Sequence, residues 1–271
     1  MNIKKIFKFG IKLLLGFSMT RRRVSIYKTL LFNATAFGWK GIFKLPIFIY
    51  TGTKLYEIGK IQINAPMRRG MIKIGLLDHK SQGCTKFLNN GTIIFNGYTQ
   101  ICGCTIIENT GEITLGDRVR IGDGCTIIIR ERLSIGENTR IAFQCFVMDS
   151  DDHFTIDVDN QTVSRFSRPI ILGKYNWIGN RSYIKKGCKT PDYLIVASAN
   201  ALLTKDYSSF PPYSVIGGAP AKLLKSGIRR IYNHKHELSL IKFFTENPQE
   251  NTYKFTNESI NNICSQQGND F

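Results

Sequence analysis

An aliphatic residue returns every six positions along much of this chain, and few folds accept that spacing. In "LGDRVRIGDGCTIII" the returns are Leu115, Ile121 and Ile127, and the first two are followed by Gly116 and Gly122. An α-helix turns about 100° per residue, so a step of six carries successive aliphatics around the axis and no apolar stripe forms. Gly-Asp pairs in each period would also break a helix. A short flat strand followed by a tight turn accounts for the step. The aliphatic residue points inward at the middle of a face, and a small residue follows where the chain bends. Three faces then close a coil of about 18 residues, and coils stack as a solenoid. One period cannot bury its own apolar side, so its neighbours must cover it.

The pattern runs through Phe95, Ile101, Ile107 and Ile113, slips by two after Ile127, and resumes at Ile135, Ile141 and Val147. It returns at Leu172, Ile178, Ile184, Thr190, Val196 and Leu202, and a weaker version starts near Gly59. Residues 153–169 lack the period and read as a loop thrown out from the stack, the kind of long excursion that tends to carry function. The expected organisation is an N-terminal helical or extended arm over 1–50, a solenoid over 51–220, and a C-terminal helix with a polar tail over 221–271. That helix is expected from Ala221 to about Glu246, capping the open end of the stack. The last 25 residues read as loosely ordered.

The chain of 271 residues carries 37 Lys and Arg against 20 Asp and Glu. Residues 1–45 hold ten of those bases and no acid. Lys4, Lys8 and Lys12 fall on one helical stripe, with Ile3, Phe7, Leu14 and Leu15 on other faces, and Arg21–Arg23 follow. This basic amphipathic pattern suits an anionic membrane surface, or docking on the protein's own body. Its apolar run is too short to span a bilayer, and the lysines interrupt it where a signal peptide would be continuous. Seven cysteines at irregular spacing fit no disulfide framework and no zinc site, and read as reduced packing residues of a cytoplasmic protein.

Together with the period, "LGKYNWIGNRSYIKKG" (172–187), "LLTKD" (202–206) and "VIGGAPAKLLK" (215–225) make the chain similar to the hexapeptide-repeat acetyltransferases. The branch it resembles is that of the sugar and polysaccharide O-acetyltransferases, including the maltose and galactoside enzymes. The likeness covers roughly 55–225. It implies a left-handed parallel β-helix, a hand that departs from the usual right-handed crossover. It also implies a homotrimer with active sites between subunits, acetyl-CoA as co-substrate, a sugar or glycan acceptor, and no tightly bound cofactor or metal.

Transfer of acetyl from a thioester to a hydroxyl needs a base near the hydroxyl and donors for the oxyanion. His153 ends "MDSDDHF", where the repeat stops and the excursion starts, and an imidazole titrates near neutrality. The resemblance puts the family's catalytic histidine at this place. Asp149, Asp151 or Asp152 could orient it or bind acceptor hydroxyls. By the same resemblance Trp177 walls the cleft near substrate or pantetheine, and backbone amides at Gly179 and Asn180 meet pantetheine carbonyls. Ser198 or Ala199 makes a further amide contact, in a segment "ASANA" one residue longer than the family's. Lys205 and Lys222 align with bases that hold CoA phosphates. Pro191, in "KTPD", replaces a bend glycine, and proline also suits a corner.

Other readings use the same solenoid. A zinc hydratase needs three histidines across an interface, and only His79 and His153 fall near the repeats. N-acetylation of an amino sugar and a non-catalytic membrane-surface scaffold are further alternatives. A nucleic-acid binder would rest on charge alone, with no recognised module. The favoured reading is a cytoplasmic O-acetyltransferase of capsule or lipopolysaccharide sugars, residing peripherally at the inner face of the membrane.

Overall fold

The computed structural model describes residues 23–77, 83–197 and 200–265. They form a left-handed parallel β-helix whose three faces are parallel sheets, with nine strands in sheet 1, seven in sheet 2 and five in sheet 3 among the described residues. The final strand of sheet 1, Lys222–Lys225, runs antiparallel to Val215–Gly217.

Like stacks on like inside. In sheet 1, Ile74, Ile101, Ile121, Ile141, Ile178, Val196 and Ile216 stand in register, one per coil. In sheet 2 the column is Phe87, Ile107, Ile127, Val147, Ile184 and Leu203. Every member of both columns is at most 2% exposed. Each such side chain contributes roughly 1.5–3 kcal/mol by leaving water, which is why the short strands hold without long ladders.

The coil is longer than the expected 18. Ile101, Ile121 and Ile141 are in register at intervals of 20 residues. The difference lies in sheet 3, whose strands place two residues inward: Ile113 with Leu115, Leu133 with Ile135, Ile170 with Leu172. The slip of two is therefore a property of every such coil. Where sheet 3 has no strand, from Ile178 to Val196, the interval falls to 18 and buried Thr190 takes the inward position alone. Leu202 is corrected to Leu203: Leu203 pairs with Ile184, and Leu202 faces outward opposite Tyr183. The extra residue in Ala197–Ala201 moves the register by one, which in a strand exchanges the two faces.

The small residues also have a different cause from the one expected. Gly116 and Gly122 do not have positive φ. A Cβ on Gly116 would lie 2.5 Å from the Glu137 nitrogen, and one on Gly122 2.7 Å from the Ala142 carbonyl carbon. The next coil presses on them. Left-handed backbone falls elsewhere in the corners, at Arg118, Asn138, Tyr175, Tyr193 and Tyr213, and at Cys104, Gln144 and Arg181.

Both ends differ from expectation. Residues 1–22 lie outside the described residues, with Lys4, Lys8 and Lys12. The rest of the 1–50 segment is part of the body. Helix α1 (Ile26–Lys44), broken at Gly38, sends Phe32 into the core against Phe87 at 5.5 Å. Ile47–Ile49 is the first strand of sheet 1, paired with Ile72–Leu76. At the other end, the helix expected from Ala221 begins only at His234, and α2 (His234–Glu246) has no buried residue. The chain first doubles back as Lys222–Lys225, then runs along the flank of the coils. Arg229 stacks over Tyr193 and Tyr213, and the Tyr232 hydroxyl donates to the Tyr175 and Asn176 carbonyls at 3.3 Å. The final helix α3 (Ile260–Cys264) buries Ile263 and Cys264, so this part of the tail is packed.

Candidate functional site

Two places on the solenoid hold the residues singled out above, and both are set by the outward positions of the coils. The first is the corner between sheets 2 and 3, where the excursion leaves. After Phe146–Met148 the chain exits through a bridge between Ser150 and Ser167 and carries a small hairpin, Ile156–Asp157 with Thr162–Val163. His153 stands exposed at the root of this loop.

The three acids beside it have separate jobs. Asp149 is fully buried, and its two oxygens accept the backbone N–H groups of Arg130, Glu131 and Arg132, each at 2.8 Å. Burial raises its pKa, and the three amides pull back. The expectation that Asp149 orients His153 or meets an acceptor is therefore corrected: its lone pairs hold the coil below. Asp152, at φ 57, takes a two-pronged contact from Arg130 (2.9 and 3.1 Å) and the Ser150 hydroxyl at 2.8 Å. Arg130 holds its carboxyl below the usual range. Arg130 also reaches Glu108 at 2.7 Å. Asp151 pairs with Lys186 from the next coil. Asp151 and Asp152 thus fasten the root of the loop, one to the coil above and one to the coil below. One coil beyond Lys186, exposed Lys205 lies over the Tyr207 ring at 5.6 Å.

The second place is the outer face of sheet 1 with its corner to sheet 2. Lys73, Gln100, Arg120, Arg140, Trp177, Ile195 and Val215 are register partners that face outward, one per coil. Trp177 is 39% exposed and the Arg230 guanidinium sits over its ring at 4.9 Å. On the C-terminal side of Trp177, Gly179, Ala197 and Gly217 stack at the corner, and Lys222 is the register partner of Gly217. The Gly179 N–H donates to the Val196 carbonyl, so the expected amide contact from Gly179 is corrected: the sheet already uses that donor. Asn180 follows in the turn. Ser198 and Ala199 lie outside the described residues, as does His79. At "KTPD" the coil persists, with Asp192 accepting the Lys174 N–H at 2.8 Å.

One chain keeps these two places apart. His153 leaves from the far edge of sheet 2, while Trp177 is on sheet 1. Arg120, Arg140, Arg230 and Tyr232 were not foreseen. Arg120 and Arg140 carry a signal in the sequence, recurrence at the coil length of 20, which becomes visible once that length is known. Arg230 has none, because it arrives from beyond the repeats.

No protein-family profile matches the chain. It is 26% identical over 141 residues to the polysialic acid O-acetyltransferase of Escherichia coli O1:K1, a match covering 52% of this chain and 45% of that relative. It is 27% identical over 160 residues to WbbJ of Escherichia coli strain K12, whose name assigns it to O-acetyl transfer in lipopolysaccharide biosynthesis, over 55% of this chain and 77% of that one. The chain thus spans less than half the length of the first relative. Among solved structures, that of the polySia specific acetyltransferase NeuO aligns with 79% of this chain and 91% of its own, at 19% identity and a TM-score of 0.49. By its repeat and by these relatives, the chain is similar to the hexapeptide-repeat acetyltransferases.

Proposed function

We propose that the protein transfers acetyl from acetyl-CoA to a hydroxyl of a cell-surface polysaccharide, capsule or lipopolysaccharide, or of its precursor. The observation that carries the reading is His153, exposed at the root of an ion-paired loop, on a chain whose relatives are acetyltransferases. In the proposed step the acceptor hydroxyl attacks the thioester carbonyl while His153 takes its proton. The tetrahedral oxyanion collapses, the carbon–sulfur bond breaks, and the CoA thiolate leaves and is protonated. Trp177, Asn180, Ser198 or Ala199, Lys205 and Lys222 bind acetyl-CoA. Because His153 and Trp177 stand on different faces of one coil stack, the reading requires two copies to complete a site, as a homotrimer would supply.

Direct transfer also suits the cysteines. Cys102, Cys125, Cys145, Cys188 and Cys264 are buried, and the Cys145 Sγ–H donates to the Gly179 carbonyl at 3.2 Å. His153→Ala should fold, still bind CoA, and lose transfer by about 10²–10⁴, the range for a general base. Near-normal turnover would remove His153 from the mechanism.

The same reading places the protein at the cytoplasmic face of a membrane, where glycan acceptors are confined. No helix of the described residues is long and apolar enough to cross one. Support for surface contact comes from α1, which leaves Tyr27, Trp39 and Phe43 73–82% exposed, the last two beside exposed Lys40 and Lys44. Cutting the chain near Tyr50 would remove core residues Phe32, Ile47 and Ile49, so point changes test it better. Trp39→Ser with Phe43→Ser should abolish co-sedimentation with anionic vesicles at low salt and leave the fold intact. Unchanged sedimentation would assign α1 to a protein interface.

A further inference from the structure

The hairpin on the excursion leaves one apolar side open to solvent. Ile156 and Val163 are cross-strand partners, so their side chains share a face. Phe154 lies two positions before Ile156, the spacing that keeps an extended chain on the same side, and Val158 follows at the turn. Phe154 is 67% exposed, Ile156 58%, Val158 77% and Val163 57%. Phe166 meets Phe154 edge to face at 5.1 Å and leaves most of that ring open. Asp157 and Thr162 pair on the opposite, polar face. A two-stranded hairpin is marginal in water without something on its apolar face. Its root is nevertheless secured, by Asp151 on Lys186 and Asp152 on Arg130.

Charge selects what covers that face. Residues 142–164 contain Asp149, Asp151, Asp152, Asp157 and Asp159 and no Lys or Arg, in a chain of formal net charge +17. The first three are engaged at the root, while Asp157 and Asp159 stand exposed at the tip. An anionic leaflet repels such a tip, and a basic protein surface attracts it. A second copy of this chain is such a surface. Position argues the same way. His153 directly precedes Phe154, and neighbouring Cα atoms are about 3.8 Å apart. Where His153 of one copy serves the Trp177 corner of the next, the hairpin is carried against that same wall. Exposed Arg181 and Lys222 border the corner and carry the charge opposite to the tip. A contact of this kind joins unlike surfaces, and copies linked in this way can close into a ring.

We infer that the hairpin is an arm that grips a second copy of this chain, with its apolar side seated on the neighbour's coils beside Trp177, and that the grip delivers His153 to that copy. The grip itself stands on the open apolar side and the charge. The delivery of His153 rests on the acetyl-transfer reading.

The test uses the full chain with photoreactive benzoylphenylalanine in place of Val158, co-assembled with unmodified chain labelled with heavy nitrogen. Irradiation should give a covalent dimer, and peptide mapping should place the join on the heavy chain, in the coils that carry Trp177 and Gly217. In a second arm, Ile156→Ser with Val163→Ser should leave the melting temperature unchanged and weaken self-association at least roughly tenfold by sedimentation velocity, since two apolar side chains lose their cover. A parallel irradiation includes anionic vesicles. Cross-links confined to the chain's own residues, cross-links to lipid, or self-association unmoved by the two serines would overturn the arm. A covalent dimer joined away from the Trp177 coils would overturn the delivery of His153. An assembled chain that binds no CoA would overturn the acetyl-transfer reading and leave the arm standing.

Discussion

The coil from Ile121 to Ile141 and the coil from Ile141 to Ile178 start and end on the same inward column, yet one takes 20 residues and the other 37. Inside, nothing distinguishes them. Val147 pairs with Ile184 as it does with Ile127, and Leu133 and Ile135 continue into Ile170 and Leu172. All of the added chain goes out through one corner. The regular coil is held mainly by buried aliphatics, with a few side-chain hydrogen bonds between coils, such as the Gly103 N–H to Asp123 at 2.8 Å and the Thr139 hydroxyl to the Gly173 carbonyl at 2.7 Å. The interrupted coil adds polar fasteners around its exit: Asp149 on three amides, Asp152 on Arg130, Asp151 on Lys186, and the Ser167 hydroxyl on Glu131 at 2.8 Å. An insertion at a corner leaves the strand register intact, so the stack can hold a long functional loop wherever the exit is secured.

That contrast can be broken at either end. The largest effect on stability belongs to the regular interior: Ile127→Ala should cost about 2–5 kcal/mol in urea unfolding, through lost transfer energy and the cavity left between Ile107 and Val147. A loss under about 0.5 kcal/mol would mean the column can collapse around a gap, against the idea that stacking sets the fold. Next comes the fastener. Asp149→Ala removes the shared acceptor of three part-buried N–H donors and should cost about 3 kcal/mol, while Asp151→Asn, at a partly exposed pair, should cost under about 1 kcal/mol. Equal costs at the two acids would mean the loop's exit is held by surface charge instead of by buried amide contacts. Smaller in stability terms, but decisive for chemistry, His153→Ala should leave unfolding unchanged while transfer falls.

Much of the solenoid was legible because its physics is local and repeated. Ile101, Ile121, Ile141 and their fellows are set by a period that any window of the chain displays. The excursion was visible as the loss of that period, and His153 as the residue at its edge. The length of the coil was misread, since Ile113 and Leu115 both point inward and either one satisfies a six-residue count. Leu202 was misread for the related reason that one extra residue exchanges the faces of a strand. The aspartates were the least legible. Asp149, Asp151 and Asp152 are the same chemical group within four positions, and nothing in the local sequence tells a buried amide acceptor from a surface ion pair.

By itself, then, the sequence determined the kind of object: a stack of short strands with aliphatic columns, small corner positions and one expelled loop. Burial of like on like needs only the recurring step, and the step is written in the chain. Tertiary structure alone decided which distant residues share a surface. Arg120 and Arg140 are 20 positions apart, and Arg230 lies a further 90 along, yet they line one cavity because the coil returns to the same face and the C-terminal strap crosses it. The helix Ile26–Lys44 became part of the body for a similar reason, through Phe32 meeting Phe87 across 55 positions. Contacts of that separation carry no periodic signature, since each is made once.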